Sequence, residues 1–298
     1  MPDMNQETKS KSIGFIGVGL MGSGMVERLM AAGNELHVLT HRNRSFINKV
    51  CEKGAKSYLT VGEVISKSNF IFLCLPSSVE VLQIAEEIAN QTPKLDLIID
   101  CTTNSPDKVI QISNIFSNVG IDYVEAPLTG GVSQAIDGHL GALLGGSIKA
   151  IEKARPILEA CCSQIAHFGP IGMGANTKLI SNFLALGTAT LVVETFHMAR
   201  KMGIDWQSFY DLAYQGSGRS MSLERIAPKA IEGNYEGYMF SIANSAKDFR
   251  YIHEMFKNHD AKISDLAAWM LAQYEDAEAK GLGDAYLSQR LDPKLLER

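Results

Sequence analysis

Residues 12–33 read SIGFIGVGLMGSGMVERLMAAG. Ile13–Ile16 is a short apolar run of strand character. Gly17-Val18-Gly19-Leu20-Met21-Gly22 is a G-x-G-x-x-G turn. Met21–Ala32 then carries apolar residues at helical spacing and stops at Gly33. A glycine-rich turn alone says little, but one that follows a strand and opens a helix has a physical meaning. Gly17 permits the tight turn, Gly19 lets the backbone approach a pyrophosphate, and Gly22 lets the helix pack closely on the strand. The unpaired N–H groups and partial positive charge of the helix start then suit phosphate. Gly17, Val18, Gly19, Leu20 and Met21 are therefore candidate dinucleotide contacts, although an ordinary βα turn has the same composition.

Outward from this unit the first half of the chain repeats the alternation. Leu36–Leu39, Phe70–Leu75, Leu97–Asp100 and Ile121–Val124 read as strands. Val79–Ala89 and Asp107–Val119 read as helices. This rhythm predicts an α/β architecture with a parallel sheet covered on both faces. His139–Leu144 and Ile165–Phe168 are further edge strands around a helix at Ile148–Ala160. The second half is helical: one long helix at Gly174–Lys201, stopped by Gly203, then Trp206–Tyr214, Met221–Ile231, Phe249–Asn258 and a helix around Ile263–Ala279. The expected divisions are a loose polar tail at 1–11, a nucleotide-binding domain at 12–171 and a helical domain at 172–298.

The end of the second strand bears on the choice of cofactor. An NAD site usually has an acidic residue there, gripping the ribose hydroxyls. This chain has Thr40-His41-Arg42-Asn43-Arg44 instead. Arg42, helped by Thr40 and His41, suits a 2′-phosphate by charge and by its fork of donors. NADP is favoured over NAD, with solvated basic residues at a helix entry as the alternative.

Bulk properties narrow the classes. The net charge of −5 recommends neither nucleic acid nor an anionic membrane as partner. No apolar run is expected to span a bilayer. Five cysteines, an odd number without Cys-x-x-Cys spacing, point to reduced thiols and a cytoplasmic setting. The seven histidines lack metal-ligand spacing, so no metal site is expected. Cys161-Cys162 reads as packed thiols.

Lys178 and Asn182 are four residues apart near the start of the long helix, on one face. A lysine desolvated there loses its proton more easily, so it can both donate and accept. On periodicity alone, an exposed helix lysine is the better reading.

Four separated segments resemble the 3-hydroxyisobutyrate dehydrogenase, or β-hydroxyacid dehydrogenase, family. They are Gly14–Gly22, Ala126-Pro127-Leu128-Thr129-Gly130-Gly131-Val132, Gly174–Asn182 and Lys247-Asp248-Phe249, with Gly281-Leu282-Gly283-Asp284 as a further match. The resemblance implies a Rossmann-type doubly wound parallel sheet followed by an all-α C-terminal domain with a long interdomain helix. It implies hydride transfer between NADP(H) or NAD(H) and a small 3-hydroxy carboxylate or semialdehyde, with Lys178 as general acid and base. Asn182 would orient the substrate, and Thr129, Gly130 and Gly131 would grip its carboxylate. The glycine pair there can also present a nest of N–H groups. Leu75, Pro76, Thr103 and Lys247 would be further cofactor contacts, and a homodimer or homotetramer is the expected assembly. Three departures bear on the substrate: Thr129 for serine, Glu125 for aspartate, and Ser181 for the first asparagine of a pair. Arg219 reads either as a recogniser of a second anionic group or as a solvated loop residue. The competing reading is a catalytically inactive NADP-binding regulatory or scaffold protein of the same fold.

Overall fold

The computed structural model describes residues 10–41, 44–91 and 93–296. By contacts the chain divides into two compact units between Lys178 and Leu179, within the long helix.

The first unit is built on a twisted sheet. Its strands β1 (Ser12–Ile16), β2 (Glu35–Leu39), β3 (Lys56–Tyr58), β4 (Phe70–Leu73), β5 (Leu97–Asp100) and β6 (Asp122–Glu125) are parallel. Their order across the sheet is β3-β2-β1-β4-β5-β6. The order reverses between β1 and β4, and in open α/β sheets ligands bind at that switch point, beyond the carboxyl ends of the strands. β7 (Leu128–Thr129) and β8 (Leu140–Gly145) extend the sheet, β8 running antiparallel to β6 and β7; β9 (Cys162–Gly169) pairs with β8 in parallel. The helices of this unit are α1 (Leu20–Ala31), α2 (Arg44–Glu52), α3 (Val61–Ser66), α4 (Ser78–Ala89), α5 (Pro106–Asn118), α6 (Val132–Asp137) and α7 (Ile148–Leu158).

Alternate strand residues fill two cores, as the period of two requires. Phe15, Phe72, Ile99 and Val124 enter one cluster. Ile16, Ile71, Leu73, Ile98 and Tyr123 enter the other. Phe15 and Phe72 stack with ring centroids 5.7 Å apart. Each such side chain stabilises the fold by roughly 1.5–3 kcal/mol on full burial.

α8 (Met173–Lys201) starts in the first unit and runs into the second. The second unit continues with α9 (Trp206–Gln215), α10 (Met221–Ile231), α11 (Ile242–Lys257), α12 (Ala261–Ala279), a 3₁₀ turn at Leu287–Leu291 and α13 (Pro293–Leu296). Phe249 of α11 stacks on Tyr274 of α12 at 5.5 Å. The Tyr274 hydroxyl shares a 2.5 Å hydrogen bond with Thr190 of α8.

Several expectations are corrected. α2, β3 and α3 lie in a stretch read as having no elements. The start of α3 is fixed by a capping box, with Glu63 N–H donating to Thr60 and the Glu63 carboxylate accepting from the Thr60 N–H. α11 begins at Ile242, about two turns before the expected Phe249. By contrast, Pro156 and Pro228 lie inside α7 and α10, within the helices expected at Ile148–Ala160 and Met221–Ile231. α8 also contains an 18-residue window of mean hydropathy 1.5, which is long and apolar enough to cross a membrane; half of that window is buried within the protein.

Candidate active site

The carboxyl edge of the parallel strands brings four segments together. The first follows β1. A Cβ on Gly17 would stand 2.1 Å from the Cys74 carbonyl oxygen, and φ at Gly17 is +109°. One on Gly22 would stand 2.3 Å from the Gly17 carbonyl oxygen. The first and third glycines of the turn are therefore required by the protein's own packing. Gly19 differs: a Cβ there meets nothing within 4 Å. It is the N-cap of α1, without a side-chain cap and without an acidic residue in the first turn. Open space at Gly19 and a helix start without a side-chain cap fit the pyrophosphate of a dinucleotide. Val18 is buried, Leu20 exposed and Met21 half-buried.

The second and third segments follow β4 and β5. The Leu75 N–H donates to Thr102 Oγ1 at 3.0 Å, tying one to the other. Leu75 and Thr103 are half-buried and Pro76 is exposed. Asp100, at the end of β5, is wholly buried. It accepts from Thr102 N–H at 2.9 Å, Asn104 Nδ2 at 2.7 Å and the Tyr123 hydroxyl at 2.9 Å. Burial pushes its carboxyl up to about 6 against these donors, which act downward. Asp100 thus shapes the loop that carries Thr103.

The fourth segment is held by Glu125, the last residue of β6 and the register partner of Asp100. Its Oε1 accepts from Gly172 N–H at 2.6 Å and Gly174 N–H at 3.0 Å, and its Oε2 from Ala175 N–H at 2.8 Å. Burial pushes this carboxyl up to about 7, with the neighbouring Asp100 charge adding to the rise and the three N–H groups opposing it. The contact pins the start of α8 to the sheet edge. Lys178, half-buried, follows in the second turn of that helix.

The expected carboxylate grip is arranged differently from the prediction. Thr129 pairs with Gly141 of β8, and Gly130 has φ +108°. The Gly131 N–H, expected to face an anion, donates to Gln134 Oε1 at 2.9 Å, and the Ser133 hydroxyl donates to the same oxygen at 3.0 Å. Gln134 thus occupies part of the expected nest, as an N-terminal cap of α6.

In the second unit Asp248 is buried and gathers two expected site residues. Asn182 Nδ2 donates to its Oδ2 at 2.6 Å. Lys247 Nζ lies 3.0 Å from its Oδ1. Arg219 is exposed, paired with Glu224 at 2.7 Å and set over the Tyr214 ring. At the end of β2, Thr40 is half-buried and donates its N–H to the Tyr58 carbonyl, and His41 is exposed. Arg42 lies outside the described residues.

The model of the NAD-binding domain of 6-phosphogluconate dehydrogenase matches residues 12–169. The model described as NAD-binding of NADP-dependent 3-hydroxyisobutyrate dehydrogenase matches residues 172–292. The chain belongs to the 3-hydroxyisobutyrate dehydrogenase-like β-hydroxyacid dehydrogenase family. Relatives in this family are NAD(P)-dependent hydroxyacid dehydrogenases, and the two domain matches mark this chain for a nicotinamide dinucleotide. The mitochondrial 3-hydroxyisobutyrate dehydrogenase of Drosophila melanogaster is 30% identical over 226 residues, covering 76% of this chain and 69% of its own. The 2-(hydroxymethyl)glutarate dehydrogenase of Eubacterium barkeri is 28% identical over 283 residues, covering 92% of each. The solved Mycobacterium tuberculosis 3-hydroxyisobutyrate dehydrogenase with L-serine superposes with a TM-score of 0.82 at 22% identity, covering 95% of this chain and 98% of that one. The Rossmann-like sheet followed by an all-helical domain is the fold these neighbours share.

Sequence reasoning missed Asp100, Glu125, Gln134 and Asp248 as organisers of the site. In the sequence Glu125 stands out only as a departure from aspartate; its partners lie 47–50 residues further on, beyond any local pattern.

Proposed function

We propose that the protein transfers hydride between NADP(H), or NAD(H), and a small 3-hydroxy carboxylate or its semialdehyde, with Lys178 as general acid and base. The observation that carries this reading is the anchoring of Lys178's helix start by Glu125, at the same sheet edge as the open Gly19 turn. When bound, the nicotinamide supplies or accepts the hydride. In reduction the Lys178 ammonium stabilises the oxygen that becomes anionic and gives it a proton; in oxidation the neutral amine takes the hydroxyl proton. The Thr129–Gly131 turn meets the substrate carboxylate, with the Gln134 carboxamide beside it. By resemblance Asn182 orients the substrate, while Leu75, Pro76, Thr103 and Lys247 contact the cofactor.

The deciding experiment is NADPH oxidation with a panel of carboxylate-bearing semialdehydes, wild type against Lys178→Ala. The variant is expected to lose about 10²–10⁴-fold in turnover, the usual share of general acid–base catalysis, and to keep binding cofactor. Equal turnover in both proteins would leave Lys178 without a role. No turnover in either would favour the regulatory or scaffold reading.

The NADP preference rests on the absence of a carboxylate after β2 and on the Thr40-His41-Arg42 sequence. Arg42→Ala is expected to weaken NADPH binding far more than NADH binding, and a uniform effect in titration removes Arg42 as a phosphate ligand. We further propose a cytoplasmic homodimer or homotetramer. Leu184, Leu191 and Met198 of α8 are spaced by seven residues and each more than half exposed, a stripe that a second copy would cover. A monomeric mass by light scattering at micromolar concentration would refute it.

A further inference from the structure

Asn176 N–H donates to the Gly172 carbonyl at 2.9 Å, which makes Gly172 the N-cap of α8. An N-cap side chain normally accepts from the N–H groups two and three residues on. Glycine has none to offer. Glu125 takes that place from the end of β6, receiving those two N–H groups, of Gly174 and Ala175, and that of Gly172 as well.

The surroundings are shaped to admit this carboxylate. A Cβ on Gly145 would stand 1.9 Å from Glu125 Oε1. One on Gly174 would stand 2.6 Å from the Leu143 carbonyl oxygen and 3.0 Å from Glu125 Cδ. Two strands and a helix start therefore close around one side chain. Its titratable neighbours are Asp100 on β5 and Tyr123 on β6.

A helix start carries about half a positive charge. That field disfavours an ammonium in the next turn, where Lys178 sits. A carboxylate laid across the start offsets it. We propose that Glu125 is a positioning residue for Lys178: it fixes the first turn of α8 and, in its ionised form, adds negative charge at the helix start that favours a protonated lysine in the next turn. This rests on the role given to Lys178 above.

The test reads the lysine itself as well as turnover. Competitive acylation of the full-length protein across pH, read by mass spectrometry, gives the midpoint of Lys178 protonation. In Glu125→Gln one carboxylate oxygen becomes an amide donor facing an N–H, and the charge is gone. The midpoint is expected to fall by about half a pH unit, the scale of helix-end electrostatics. The kcat for reduction is expected to fall about tenfold, with KM and NADPH Kd within about twofold, since only proton transfer is disturbed. Glu125→Asp keeps the charge but withdraws it, and is expected to fall between the two proteins in both readings. If Glu125→Gln does not fold by circular dichroism, the aspartate variant decides alone. A Lys178 midpoint and kcat equal to wild type in a folded variant would overturn the proposal. So would a loss confined to KM or cofactor Kd. If wild type turns over nothing in the panel, the functional reading fails, while the acylation midpoints still decide the link between Glu125 and Lys178.

Discussion

Replacing Glu125 by glutamine should change how stability depends on pH. The carboxyl is pushed from its usual 4.5 up to about 7 in the folded protein, chiefly by burial. A raised carboxyl binds its proton more tightly folded than unfolded. Its stabilising contribution is therefore complete below pH 4.5 and disappears as pH rises through 7. At 1.36 kcal/mol per pH unit the whole contribution is about 3 kcal/mol, of which about 2–3 kcal/mol is lost between pH 5 and pH 8. The assay is urea denaturation of wild type and Glu125→Gln at both values. Asp100, raised to about 6, adds a loss of the same sign in both proteins. His37, lowered by burial, adds the opposite sign in both, because its folded form resists the proton that the unfolded chain takes up below pH 6.5. Comparing the two proteins cancels the His37 share, and the Asp100 share apart from its coupling to Glu125. Wild type should weaken relative to the variant by about 2–3 kcal/mol over this interval. Parallel stability curves would show that Glu125 keeps an ordinary carboxylate affinity, and the burial argument would fail.

The glycine turn gives a contrast between two variants. Gly19→Ala, with open space around the new methyl, should leave the melting temperature unchanged and weaken NADPH binding in a fluorescence titration. Gly17→Ala, clashing with the Cys74 carbonyl at 2.1 Å, should lower the melting temperature itself; the same outcome for both would refute the division of roles. Asp248→Ala removes the acceptor of Asn182 and the partner of Lys247, and should cost about 3–5 kcal/mol in urea denaturation, because buried partners are left uncompensated. Asp248→Asn, which keeps one acceptor oxygen, should cost less, and equal losses would show that packing alone is at stake.

The sheet was legible because its strands are buried on both faces and read as continuous apolar runs, such as Ile13–Ile16 and Leu97–Asp100. The long helix was legible from its period and from Gly203. Residues 44–66 were not, because α2, β3 and α3 are short and β3 is a mostly exposed edge strand with no apolar run. Thr60 and Glu63, spaced as a capping box, and Phe46, Ile47, Val50 and Cys51 at helical spacing were the local signals there. In the site, the Gly17–Gly22 turn was readable because its contacts are local. The occupation of Gly131 by Gln134 was also within reach, at three residues' distance, but a glycine pair invites an anion more readily than a neighbouring amide. The links from Glu125 to Gly172–Ala175 and from Asn182 to Asp248 join segments 47 to 66 residues apart, and only the tertiary fold brings them together.

Asp100 and Glu125 show why the site stands at this edge. Each ends a strand, the two are register partners, and each uses its oxygens on a different segment: Asp100 on the loop carrying Thr103, Glu125 on the helix carrying Lys178. Parallel strands end with their last side chains side by side, so two buried carboxylates there lie close and the Asp100 charge raises Glu125. An apolar pair would cost less to bury, but it would leave Gly172, Gly174, Ala175 and Thr102 N–H groups, and the Asn104 amide, without their acceptors. Desolvating two carboxylates is thus tied to holding two segments in register with one sheet edge. The proton count of the pair then belongs to both segments at once. A change in one carboxyl alters the field at the other, so the β5 loop and the α8 start should respond together to pH near neutrality, and not as separate parts.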